Sequence, residues 1–228
     1  MNIISSVYAT DEDIALRASA DFSILCPKDQ SLAWGTDGSF GSDDRWTLYS
    51  STVDFQANGL AAGHLVRLTQ PVNVFKPPGD AFAVDSVAPG SVTLRRKGQL
   101  AGVGQPAGPP SGLDSVEFSV TTLGPQIARA SYDLNRRFGI DDLIAGRRPC
   151  DLFDSKEVRE AVVLIVLSRQ YLELSRGAEE KTDSFVAKSQ WYKQELDDLL
   201  SRTVVHWAVQ PGASTPQPST RLSTRISR

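Results

Sequence analysis

The sequence predicts an α+β fold: a small helical bundle with a long helical hairpin, an inserted β-rich (small barrel-like) section, and an extended C-terminal tail. Three observations carry this. The stretch Ser155 to Arg202 has the pattern of two long helical arms, and the first contains Ala161–Leu167, apolar on every side of a helix. Short alternating runs separated by turn residues fill the region from His64 to Val120. From Pro211 the chain is rich in Pro, Gly, Ser and Thr and lacks the apolar residues to build a core. The expected boundaries are a helical bundle at 1–25 and 122–207, an inserted β section at 26–121, and a basic C-terminal arm at 208–228.

The first element is a short helix. Thr10 is a suitable N-cap, and Asp11, Glu12 and Asp13 put negative charge where the helix dipole favours it. Ile14, Leu16 and Ala18 supply a modest apolar side. From Cys26 to Asp44 the glycines Gly35, Gly38 and Gly41 among Ser and Asp predict loop. Trp34, Phe40 and Trp46 are unusual there, because aromatics in a polar loop anchor it to a core or to a partner.

Strands are expected at His64–Thr69, Ala81–Val87, Ser91–Lys97 and Ser115–Val120, the second and third joined by the turn Ala88-Pro89-Gly90. Such short strands suit a small barrel or curled sheet of roughly four to six strands. The Gly- and Pro-rich stretch Gly98 to Gly112 predicts an extended loop.

Helix resumes at Pro125, with Ile127, Ala130, Leu134 and Phe138 on one face and Gly139 as a stop. Ser155 caps the first arm of the hairpin, which runs to Gly177. Thr182 or Asp183 caps the second, whose stripe is Phe185, Tyr192, Leu196 and Leu199. The tail carries Arg221, Arg225 and Arg228 and no acid after Asp198, so a solvated tail and a docking arm both fit it.

With 228 residues, 40% of them hydrophobic and 22% charged, the chain suits one large domain or two small ones with a real core. Its formal net charge of −3 gives no global reason to bind nucleic acid. Met1–Ser6 has neither a basic n-region nor an apolar h-region, so no signal peptide is expected, and Ala161–Leu167 is too short to span a membrane. Cys26 and Cys150 match no metal or redox spacing, and a reduced state is expected without the pairing being settled.

No constellation for catalysis, cofactor binding or metal binding emerges. His64 and His206 have no Cys or carboxylate at ligand spacing. There is no Gly-x-Ser-x-Gly elbow, and Gly98, Gly102 and Gly104 lack a Walker lysine or a strand–helix setting. Cys150 follows Arg147-Arg148-Pro149 and fits a half-buried structural thiol. Basic groups stand at Arg95-Arg96-Lys97, Arg136-Arg137 and Arg147-Arg148, and a helix C-terminus by itself accounts for Arg136 and Arg137. What remains is an assembly surface. A helix apolar all round must be covered all round, so part of the first arm is expected to meet another layer or another subunit. The candidate partner-binding residues are therefore Val163, Val166, Leu167 and Tyr171, with Trp207, Arg221, Arg225 and Arg228 in the tail.

Thr10-Asp11-Glu12-Asp13-Ile14, the helix from Gln126 to Phe138 and the restart Ser155 to Ala161 together resemble tailed-phage head–tail adaptor (connector or neck) proteins. The likeness covers the N-terminal helix and about half of the chain after Pro125, and it lies in length and polarity rather than in a signature residue. It implies a non-enzymatic structural adaptor in a virion neck, assembled in the host cytoplasm. Such a protein forms a twelvefold homo-oligomeric ring between the portal protein and the tail or tail-terminator protein. DNA passes through the ring without sequence-specific binding, and no membrane is involved. The β section departs from the family's compact form, as an insertion between the first and second helices. Two other readings stand beside this one: a tail-completion or tail-terminator protein, and a nucleic-acid-binding module using the β section and Arg95–Lys97.

Overall fold

The computed structural model describes residues 7–75, 77–99, 108–141, 143–144, 147–152, 155–177 and 182–203. They fall into two compact units, one comprising Thr10–Gly124 and the other drawn from Met1–Ala9 and Pro125–Arg228.

The first unit is a closed antiparallel barrel. Its strands are β1 (Ser31–Phe40), β2 (Thr47–Tyr49), β3 (Leu65–Leu68), β4 (Asp80–Ala88), β5 (Ser91–Arg95) and β6 (Val116–Thr121). The order around the barrel is β1-β2-β5-β4-β3-β6, and β1 pairs back onto β6. In the closed order each of the six strands has a partner on both sides. Alternation sets each strand's inner face: along β6, Val116, Phe118 and Val120 are buried while Glu117, Ser119 and Thr121 look outward. Phe55, Phe75, Phe82 and Phe118 fill the interior with Leu48, Val66, Leu68, Val84, Val92 and Leu94. Phe55 and Phe118 pack with ring centroids 5.5 Å apart.

Two short helices, α1 (Asp11–Arg17) and α2 (Phe22–Leu25), belong to this unit. Helix α1 opens with a capping box: the Asp13 amide donates to Thr10 Oγ1, and the Thr10 amide donates to Asp13 Oδ2 at 2.8 Å. Both Arg95 amino groups donate to the Glu12 carboxylate, and the Gly98 amide donates to Glu12 Oε1 at 2.8 Å. Asp85 also lies 3.5 Å from Arg95 Nε. The bidentate pair ties α1 to β5 with geometry a lysine does not reproduce.

The second unit contains α3 (Gly124–Phe138, its first residue closing the barrel unit), α4 (Lys156–Gly177) and α5 (Thr182–Arg202). On α3 the buried face holds Ile127, Ala130, Leu134 and Phe138, plus two polar residues, Ser131 and Asn135. Tyr8 satisfies both: its hydroxyl donates to Asn135 Oδ1 at 2.7 Å and its amide to Ser131 Oγ at 3.4 Å. Gly139 takes φ +66 just past the helix, a conformation open to glycine. Helices α4 and α5 pack through Tyr171, which stacks on Tyr192 at 5.6 Å and meets Phe185 at 6.1 Å. The Ser189 hydroxyl donates to the Ser168 carbonyl at 2.7 Å.

The expected fold class, a small helical bundle with a long helical hairpin carrying an inserted β section, is therefore corrected. The organising element is a closed six-stranded antiparallel barrel, with helices added to it. The physical reason lies in β1, where loop was expected. Gly35 and Gly38 stand in β1 because space is absent, not because the chain turns. A Cβ on Gly35 would come within 2.6 Å of the Phe118 ring, and one on Gly38 within 2.7 Å of the Val116 carbonyl oxygen. The register of β1 against β6 shifts between Gly35 and Gly38, an irregularity of the kind that bends a strand toward closure.

Asp37 lies in that irregular part of β1 and organises the turn after β2. Its carboxylate accepts hydrogen bonds from the Ser50 and Ser51 hydroxyls and from the Ser51 and Thr52 amides, at 2.8–3.0 Å. Partial burial pushes the carboxyl up, but these bonds outweigh it and hold it well below the usual carboxylate range.

Two outcomes are expected. Gly38→Ala should cost about 1–3 kcal/mol in urea denaturation, because the clash is with backbone that has no rotamer to change. Asp37 has a folded pKa below its unfolded value of about 3.9, so its stabilisation is present above roughly pH 4 and lost as pH falls further. Asp37→Asn should therefore lower stability at neutral pH and flatten the acid limb of a stability–pH profile.

Candidate partner-binding surface

Val163, Val166, Leu167 and Tyr171, the four expected partner residues on α4, are each at most 2% exposed. The whole run Ala161–Leu167 is buried. These side chains offer no free face to a partner, except that Val166 contributes to the floor of a groove described below. An all-round apolar helix does need cover on all sides, and here the chain itself supplies it. Trp207, Arg221, Arg225 and Arg228 lie outside the described residues.

The accessible surface of the helical unit is built on the opposite side of α3 from its buried stripe. Arg129, Tyr132, Asp133 and Arg136 recur at i, i+3, i+4 and i+7, so they share one face. The Tyr132 ring is 41% exposed, and the guanidinium carbons of Arg129 and Arg136 each lie 6.0 Å from its centroid. Arg169 of α4 donates from Nη2 to Asp133 Oδ2 at 2.9 Å, while Arg129 Nε stands 3.5 Å from Oδ1. One carboxylate is thus shared by two guanidiniums, with a third beside the same ring. The stripe carries a local positive excess on a protein of negative formal charge.

Between α3 and α4 runs a groove of about 300 Å³, bordered by Gln126, Arg129, Arg169, Gln170 and Glu173. A second groove, about 260 Å³, lies between α4 and α5 and is bordered by Ile165, Leu172, Lys193 and Leu196. Arg169 borders both. Leu172 and Trp191 remain 43% and 52% exposed. Aromatic, arginine and aliphatic side chains around shallow grooves form the composition of a protein-binding patch.

Other candidate groups are engaged elsewhere. Arg95 is bonded to Glu12 and Asp85, the Arg96 guanidinium lies 5.1 Å over the Phe82 ring, and Lys97 donates to Ser19 Oγ at 2.9 Å. His64 Nδ1 accepts from the Ala61 amide at 3.1 Å. Neither cysteine is in a disulfide: Cys26 is buried, which pushes its thiol up to about 11, and Cys150 is exposed. Among the described residues no three His, Cys, Asp or Glu side chains are grouped to hold a metal. No described helix is long and apolar enough to cross a membrane.

Sequence reasoning missed the Arg129–Tyr132–Arg136 stripe because it followed the apolar period of the same helix. The signal was present in the complementary period of α3. Comparison of the chain with protein-family models, with curated proteins and with solved structures returned no match.

Core and surface roles separate by stability. Tyr171→Ala should cost about 3–5 kcal/mol in denaturant unfolding, whereas Tyr132→Ala should stay within about 0.5 kcal/mol of the parent. Equal effects of the two substitutions would contradict this assignment.

Proposed function

We propose that the chain is a structural adaptor of a tailed-phage or phage-like particle neck, assembling as a ring that joins portal to tail. The observation that carries the reading is the exposed Arg129–Tyr132–Arg136 stripe with its neighbouring groove, a protein-binding surface on the helices whose sequences resemble head–tail adaptors. In this reading the lateral and axial contacts use that exposed face. The buried apolar run of α4 serves as the rigid support behind it. Acidic or aromatic residues on the neighbouring protein complement the arginines and Tyr132. Engagement of Arg95, Arg96 and Lys97 within the barrel unit draws those groups away from the alternative nucleic-acid role.

The reading is tested by mass photometry and electron microscopy of the purified protein, alone and mixed with a portal protein. Closed rings or portal-bound rings are expected, and a doubly reversed variant, Arg129→Glu with Arg136→Glu, should lose them while keeping the parent's Tm. A chain that stays monomeric in both settings would count decisively against the proposal.

A further inference from the structure

On the outer face of the barrel, Arg67 of β3 stands between Ala81 of β4 and Ser119 of β6. Ser119 in turn pairs with Trp34 of β1, which is 61% exposed. Phe40 and Trp46, the other aromatics of that stretch, serve the core: Phe40 is buried, and Trp46 packs edge-on against Phe82 at 6.1 Å. Trp34 has no such role. Beside it a cavity of about 120 Å³ is lined by Arg67, by the hydroxyl-bearing Ser23, Ser119 and Thr121, and by the apolar Phe22 and Leu65.

Arg67 is half-buried, and among the described residues its guanidinium has neither a hydrogen bond nor an ion pair. A desolvated charge without a partner is unfavourable, and a guanidinium holds five donors in a fork that suits an oxyanion. The Glu12 carboxylate is already committed, being bound by Arg95 and the Gly98 amide. We propose that this cavity is a binding site for a phosphate-type oxyanion, held by the Arg67 fork and by hydroxyl donors from Ser23 and Ser119. The phosphate is either free or carried by a single-stranded nucleic acid, whose bases would stack on Trp34. Burial lowers the Lys97 ammonium pKa and the charge of Arg67 lowers it further, while Glu12 raises it.

The test titrates inorganic phosphate into the full chain, at constant ionic strength set with chloride, and follows both backbone-amide NMR shifts and Tm. A site of this size and charge should bind with a Kd on the order of 1 mM, shift the Ser23, Arg67 and Ser119 amides saturably, and raise Tm. Arg67→Met should abolish the saturable shifts and the Tm rise. A short oligothymidylate provides the second arm. Tighter binding than phosphate that falls back to the phosphate level in Trp34→Ala assigns the phosphate to nucleic acid, and equal or weaker binding assigns it to the free ion. Absence of saturable shifts in the wild-type chain overturns the site even if Arg67→Met fails to fold. Equal phosphate responses in wild type and Arg67→Met overturn it as well.

Discussion

Strand β1 hydrogen-bonds to β2 along one edge and to β6 along the other, and the barrel exists because it does both. Without that strand the remaining five form an open sheet with two exposed edges, and the phenylalanine cluster loses a wall. Double pairing demands that β1 pass close to Phe118 and to the β6 backbone, which is met by having no side chain at 35 and 38. Once closed, the barrel fixes which residues look outward. The same alternation that buries Val116, Phe118 and Val120 presents Ser119 and Thr121 to the Arg67 cavity. The Glu12–Arg95 pair then seats α1 against the finished wall.

The helical unit follows a different logic. Its helix α4 is buried throughout Ala161–Leu167, and its surface is carried by residues beyond that run, such as Arg169 and Leu172. Aromatic stacking of Tyr171 on Tyr192 and the Ser189–Ser168 hydrogen bond set the pairing of α4 with α5. Polar and aromatic groups stand on the outer faces, where arginines flank an exposed tyrosine and one aspartate is shared between α3 and α4. A rigid apolar support behind a polar, aromatic face is a suitable arrangement for a protein whose proposed work is to hold neighbours in place.

Legibility in the sequence tracked the simplicity of the local physics. The Thr10 N-cap and its acidic first turn were readable, and the last strand was readable from clean alternation. Strand β1 was not readable, because glycine signals a turn by default and signals close packing only once the neighbour across the interior is known. The small barrel-like section legible in the sequence therefore lacked β1, and the closed six-stranded barrel corrects the fold class. Partner residues were chosen for apolarity, a criterion that selects the core, so Val163, Val166, Leu167 and Tyr171 proved buried while Tyr132 went unnoticed. Arg67 was hidden for a related reason: within Leu65-Val66-Arg67-Leu68 it is one polar residue in a short strand, and its lack of a partner among the described residues is a property of the folded wall.

Closure by β1 is tested most directly by native-state hydrogen exchange resolved by residue. The β1 amides that pair with β6, around Ala33 to Gly35, should exchange only through global unfolding, within roughly 1 kcal/mol of the amides at Phe118 and Val120. Exchange of residues 31–40 at loop rates, with β4 and β5 still protected, would show an open sheet and contradict the account.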